Sequence, residues 1–221
     1  MTGHILYSFR RCPYAIRARM TLAYAAIECE LRELMLKDKP PSMLQYSPKG
    51  TVPVLVTGEG QVIDESLAVM LWALQQKDPN NWRKDQNHGL ELIHLNDHEF
   101  KPLLDRYKYA DRHPELTEIQ HRDLTIPFIE SLDNRLQKAQ FLINSQISLA
   151  DVALFPFIRQ YAFVDKPWFD QLPYSALKKW LQNFLEADLF IQIMPKFKLF
   201  NDGFRYQFPT GQLISDGYPV D

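Results

Sequence analysis

Phe9-Arg10-Arg11-Cys12-Pro13-Tyr14-Ala15-Ile16-Arg17-Ala18-Arg19 decides the fold. Ahead of it, Ile5-Leu6-Tyr7 is a short apolar and aromatic run of the kind found in a buried strand. Behind it, Ile16, Met20, Leu22 and Ala23 recur at helical spacing. Pro13 falls where that helix begins, a position where a missing N–H costs nothing. Cys12 therefore sits at a strand-to-helix junction. The unpaired N–H groups and dipole of a helix N-terminus favour a thiolate, which is the reactive form of cysteine. Arg10, Arg11, Arg17 and Arg19 lie close in sequence, and no Asp or Glu precedes Glu28. The expectation is a reactive Cys12 with a lowered pKa. A buried structural cysteine is the competing reading.

Working outward, the first 78 residues alternate strand and helix signals. Strands are expected at 4–9, 27–35, 52–56 and 61–63, with helices at 13–25 and 66–76 and a short helical turn at 42–46. Thr57-Gly58-Glu59-Gly60 reads as a hairpin turn, and Ser47-Pro48-Lys49-Gly50 as a turn cluster. This order predicts a small mixed sheet with helices packed on it. Residues 79–85 read as a linker. Beyond them strands disappear, and helices are expected at 86–109, 115–140, 149–163, 174–187 and 188–199, making 86–221 an all-α domain. Pro102 and Pro127 should end or kink their helices. Ser148-Leu149-Ala150-Asp151 is a helix start in capping-box form, followed by an apolar run that should form the buried centre. Residues 203–221, rich in Gly and Pro, read as an irregular surface tail.

The 221 residues are 46% hydrophobic and 24% charged with a net charge of −2, an ordinary globular balance that argues against a nucleic-acid partner. No apolar stretch approaches a membrane span. Cys12 and Cys29 do not make a disulfide framework, so a reducing cytoplasm is the expected location. Cys29, in an alternating strand pattern, reads as structural. His94 and His98 share a helical face, but without a third ligand nearby no metal is expected.

Cys-Pro-Tyr at a strand-helix junction, Val52-Pro53 opening a strand, Glu65-Ser66 at a helix start and Ser148-x-x-Asp151 in the second half together resemble the cytosolic glutathione transferases. The likeness spans nearly the whole chain, and its flavour is similar to the cysteine-type omega class and glutaredoxin-2-like members. It implies an α+β thioredoxin-like N-terminal domain that binds glutathione as co-substrate, followed by an all-α C-terminal domain (the glutathione transferase fold). It implies Cys12 as catalytic residue. Val52 and Pro53, at the family's cis-proline site, would pair their backbone with the cysteinyl part of glutathione. The alternative there is a trans proline blunting an edge strand. Glu65 and Ser66 would hold the γ-glutamyl group, although Ser66 could equally be a plain helix cap. Lys39, with Lys37 as neighbouring alternative, would hold the glycine carboxylate. Phe157 and Gln160 match second-substrate positions, with Arg159 as alternative.

Tyr7 and Ser8 precede the junction and so lie off the site of a hydroxyl-type transferase. Ala15 stands where dithiol glutaredoxins carry a second cysteine, which leaves monothiol chemistry. The resemblance thus implies glutathione-dependent thiol transfer on mixed disulfides, dehydroascorbate or glutathione adducts. Glutathione conjugation to electrophiles and a non-enzymatic interaction module of the same fold are the rival functions. Expected partners are glutathione and a small hydrophobic or disulfide substrate, with the chain a homodimer or, as in glutaredoxin-2-like relatives, a monomer.

Overall fold

A computed structural model describes residues 3–215. The chain forms two compact units, the first running to Asn80 and resuming at Ala187, the second comprising Asn81–Glu186. In the first, β1 (His4–Ser8), α1 (Pro13–Tyr24), β2 (Cys29–Glu33), α2 (Pro41–Tyr46), β3 (Val54–Val56), β4 (Val62–Ile63) and α3 (Ser66–Gln76) follow the expected order, each within a few residues of the sequence reading. β1 is central, parallel to β2 with Leu6 opposite Leu31, and antiparallel to β3 with Leu6 opposite Leu55. Burial alternates along β2, enclosing Cys29, Leu31 and Glu33. The buried apolar cluster of this unit joins Tyr7, Ala15, Leu34, Met43, Val52, Val54 and Val56 with Phe200 from near the chain's end.

The expected tail is corrected by the structure. α11 (Asp188–Ile193) packs on α1, and β5 (Arg205–Phe208) and β6 (Gln212–Ser215) extend the sheet beyond β2 to the order β4-β3-β1-β2-β5-β6. β5 is antiparallel to β2, with Cys29 opposite Phe208. The stretch after Glu186, expected to belong to the helical domain, therefore goes with the strand-bearing unit. The physical reason is that β2 would otherwise present a bare edge of unpaired N–H and C=O groups. Residues 216–221 of that expected tail lie outside the described residues.

The second unit is helical: α4 (Gln86–Leu95), α5 (Lys101–Lys108), α6 (Glu118–Asp123), α7 (Ile126–Leu136), α8 (Leu149–Ala162), α9 (Lys166–Gln171) and α10 (Ser175–Glu186). Pro127 sits in the first turn of α7, and a turn at 124–125 breaks the long helix expected there, whereas Pro102 sits in the first turn of α5 and the helix expected over 86–109 runs on through it. A π-helical turn, Asn96–Phe100, joins α4 to α5. α8 is the buried centre, enclosed from Leu149 to Ile158, with Phe155 stacked on Phe184 at 5.0 Å between ring centroids. Asp151 holds its start: one carboxylate oxygen accepts from Ser148 N–H at 2.9 Å and Ser148 Oγ at 2.6 Å, the other from Leu142 N–H at 2.9 Å and Trp180 Nε1 at 3.0 Å. Among the described residues no helix is long and apolar enough to cross a membrane.

Candidate active site

Cys12 is the N-cap residue of α1, with an extended backbone (φ −74°, ψ 123°) and Pro13 in the first turn. Its N–H donates to Phe9 O at 3.0 Å, closing a turn between β1 and the helix, and its C=O accepts from Ile16 N–H at 2.9 Å. The thiol is half-buried at the edge of the apolar cluster beside Ile5 and Phe9. Cys12 Sγ lies 3.9 Å from Val52 O, and the Val52–Pro53 peptide is cis. The sequence thus brings two stretches forty residues apart to one point. Cys29 differs in every respect: it is enclosed in β2, and burial pushes its thiol up to about 12.

Neither hydroxyl on β1 is placed like the thiol. Tyr7 is enclosed; its OH donates to Ser42 Oγ at 3.1 Å and accepts from Arg32 Nη1 at 2.6 Å. Ser8 is likewise enclosed and accepts from Arg19 Nε at 2.8 Å.

The four arginines close to Cys12 in sequence each have contacts of their own. Arg10 Nη1 donates to Met194 O at 3.3 Å, and Arg11 lies over the Phe9 ring at 5.6 Å. Arg19 is fully buried against the Glu33 carboxylate, an ion pair that only charge complementarity makes tolerable. Arg17 is also buried, and its Nε donates to Ser66 Oγ at 3.0 Å. Sequence reasoning missed these interior cations because arginine is ordinarily a surface residue.

Glu65 is the N-cap residue of α3 and Ser66 its first helical residue, so the plain-cap role, the alternative reading of Ser66, falls to Glu65. Glu65 is exposed and pairs with Lys49 Nζ, a partner the sequence did not suggest. Of the two candidate lysines, Lys37 is exposed and Lys39 half-buried. Lys39 stretches across Gly50, where a Cβ would stand 3.5 Å from its Nζ; Gly50 adopts φ +66°, a conformation that favours glycine. Lys39 therefore lies beside the turn leading into Val52.

In the helical unit Phe157 is completely enclosed, so it could meet a second substrate only if its neighbours moved. Gln160, three residues on, is half-buried, and its Oε1 makes no hydrogen bond. Arg159 lies over the Phe163 ring at 5.3 Å. His94 and His98 are exposed with ring centroids 4.4 Å apart. Among the described residues no group of three metal-ligating side chains converges.

Residues 6–82 match the family model "Glutathione S-transferase, N-terminal domain" and residues 102–183 match "Glutathione S-transferase, C-terminal domain". The chain belongs to the glutathione S-transferases. Within that family it is 41% identical over 61 residues to glutathione S-transferase omega-1 of Sus scrofa. That alignment covers 28% of this chain and 25% of the porcine protein, so the chain matches about a quarter of the length of that relative. Glutathione transferase Omega 3C from Trametes versicolor superposes with a TM-score of 0.72 at 19% identity, covering 86% of this chain and 84% of its own. A family member from Pseudomonas fluorescens pf-5, solved with two glutathione bound, superposes with a TM-score of 0.71 at 16% identity over 86% and 91% of the two chains. These structures share the glutathione S-transferase fold, a thioredoxin-like β/α domain followed by an α-helical one.

Proposed function

We propose that this glutathione S-transferase is a cysteine-type enzyme catalysing glutathione-dependent thiol transfer. The observation that carries the reading is the position of Cys12: the N-cap of α1, its Sγ 3.9 Å from Val52 O, while Tyr7 and Ser8 are enclosed and hydrogen-bonded elsewhere. Glutathione lies along Val52-Pro53, its cysteinyl backbone pairing with Val52 like an added strand. Its α-carboxylate meets Ser66 at the start of α3, its ammonium Glu65, and its glycine carboxylate Lys39. Phe157 and Gln160 are carried as second-substrate candidates from the family resemblance.

The reaction runs in two exchanges. Cys12 thiolate attacks the glutathionyl sulfur of a mixed disulfide, forming a Cys12–glutathione disulfide and releasing the substrate as its thiolate. A second glutathione thiolate then attacks the same glutathionyl sulfur; oxidised glutathione leaves and Cys12 returns as thiolate. Each step makes one S–S bond and breaks one; overall the substrate sulfur is reduced to its thiol, and the one free glutathione consumed is oxidised as it joins the glutathionyl group the substrate brought. Ala15 stands where a resolving cysteine would, which directs resolution to the second glutathione. Two free thiols suit a reducing cytoplasm.

The test is intact mass of wild type and Cys12→Ala after incubation with oxidised glutathione, alongside a thiol-transfer assay. One glutathione added to wild type only, with transfer lost in the variant, is expected. Full turnover by Cys12→Ala would overturn the assignment.

A further inference from the structure

We propose that Glu33 is a positioning residue for Cys12, holding with one carboxylate both the turn that enters the cysteine and the helix that leaves it. This deepens the reading of Cys12 as nucleophile and rests on it. Glu33 Oε1 accepts the backbone N–H of Arg10 at 2.6 Å, two residues before Cys12. Glu33 Oε2 pairs with Arg19 Nη2, on the helix that Cys12 caps. Arg19 Nε in turn holds Ser8 Oγ at 2.8 Å, and Leu34 N–H donates to Ser8 O at 2.9 Å. Ser8 before the turn, Arg10 within it and Arg19 on the helix beyond it are thus tied, directly or through Arg19, to the end of β2. Glu33 and Arg19 are both buried, so the bonds are made without competing water. A carboxylate fixed at both oxygens has no rotational slack, and a charge-assisted bond to a backbone N–H is among the stronger ones available.

The same pair reaches the last part of the chain. Arg19 Nη1 donates to Ile193 O and Arg10 Nη1 to Met194 O, each at 3.3 Å. Glu33 touches neither glutathione nor the thiol in this assignment; it sets where Sγ stands, and a small displacement of a reacting atom is costly in rate.

Two double variants separate positioning from the stability of a buried ion pair. Arg19→Met/Glu33→Gln removes both charges but keeps an acceptor for Arg10 N–H. Arg19→Met/Glu33→Leu removes the acceptor as well. Reactivity is read as the rate of Cys12 alkylation by iodoacetamide across pH, which needs no turnover. The glutamine variant, which loses the tie to α1 but keeps the one to the turn, is expected to slow by about threefold, and the leucine variant, which loses both, by about tenfold or more with its pH midpoint moved. In thiol transfer the leucine variant should lose kcat while the KM for glutathione holds. Equal alkylation rates and midpoints in the two variants would overturn the proposal. Amide hydrogen exchange on wild type covers the case in which the leucine variant fails to fold: Arg10 N–H is expected to be protected by about a hundredfold or more, and free exchange there would overturn the proposal. If Cys12→Ala still turns over, the proposed function fails, whereas the alkylation comparison still decides the role of Glu33.

Discussion

Arg17 Nε donates to Ser66 Oγ across 3.0 Å, and both side chains are buried. The hydroxyl therefore accepts from a cation, which leaves its own hydrogen to be given elsewhere. In the proposed site that hydrogen goes to the α-carboxylate of glutathione, with the guanidinium charge behind it. Arg17→Met is expected to raise the KM for glutathione by about tenfold or more, the scale of one charge-assisted hydrogen bond. The kcat should hold within about threefold, and iodoacetamide labelling of Cys12 should be unchanged. Steady-state kinetics against glutathione checks this, and an unaltered KM would detach Arg17 from binding.

Tyr7 offers a contrary test of the chemistry. Its hydroxyl is engaged by Ser42 and Arg32 inside the first unit. Tyr7→Phe should cost about 1–2 kcal/mol of stability, from a lost bond and an unsatisfied donor, and leave thiol transfer within about twofold. A drop of a hundredfold or more would mean that a tyrosine hydroxyl, not Cys12, organises the sulfur of glutathione.

Cys29 gives the chain an alkaline weakness. Burial raises its thiol from 9.0 to about 12, and the charge of Arg19 offsets only part of that. Above pH 9 the unfolded chain loses this proton while the folded chain keeps it, so stability falls as pH rises through the window from 9 to 12. Across half of that window the loss is about 2 kcal/mol. Urea unfolding at pH 8 and pH 10.5 should show a smaller decline for Cys29→Ala than for wild type. Tyr107, also pushed up to about 12 by burial, adds the same slope to both proteins and cancels in the comparison.

Asp151 should be the costliest single loss in the helical unit. Alanine there orphans Leu142 N–H and Trp180 Nε1 and removes the start of α8. At ~1–3 kcal/mol for each buried donor left unsatisfied, the expected destabilisation is at least about 3 kcal/mol. Asparagine should not rescue it, because its NH2 would face donors. Urea titration followed by tryptophan fluorescence measures both.

The order of elements up to Gln76 was legible because its signals are local: Ile5-Leu6-Tyr7 as buried strand, Pro13 as first helical residue, Gly50 and Gly60 as turn formers. Cys12 at the cap of α1 was legible for the same reason. What escaped is non-local. Arg205-Tyr206-Gln207-Phe208 does alternate polar and aromatic residues, but it is only four residues long and is closed in by Gly203 and Pro209, so it reads as part of an irregular tail. Only the open edge of β2 makes it a strand. Arg17 and Arg19 read only as charges near a thiol, since a buried arginine is recognisable only when its acceptors are known. For Ser66 the sequence left open a ligand role and a plain helix cap; α3 begins at Ser66 as expected, and Glu65 takes the cap position.

The sheet's last two strands also set a schedule for the chain's birth. The hydrogen bond from Arg10 to Met194 spans 184 residues, and the pairing of β2 with β5 comparable distances. During synthesis β1–β4 emerge early, yet the β2 edge of their sheet has no partner until residues 205–208 follow, about 175 residues after β2. A sheet begun early in synthesis is therefore finished late, and for most of that interval β2 must be kept from pairing with the wrong strand.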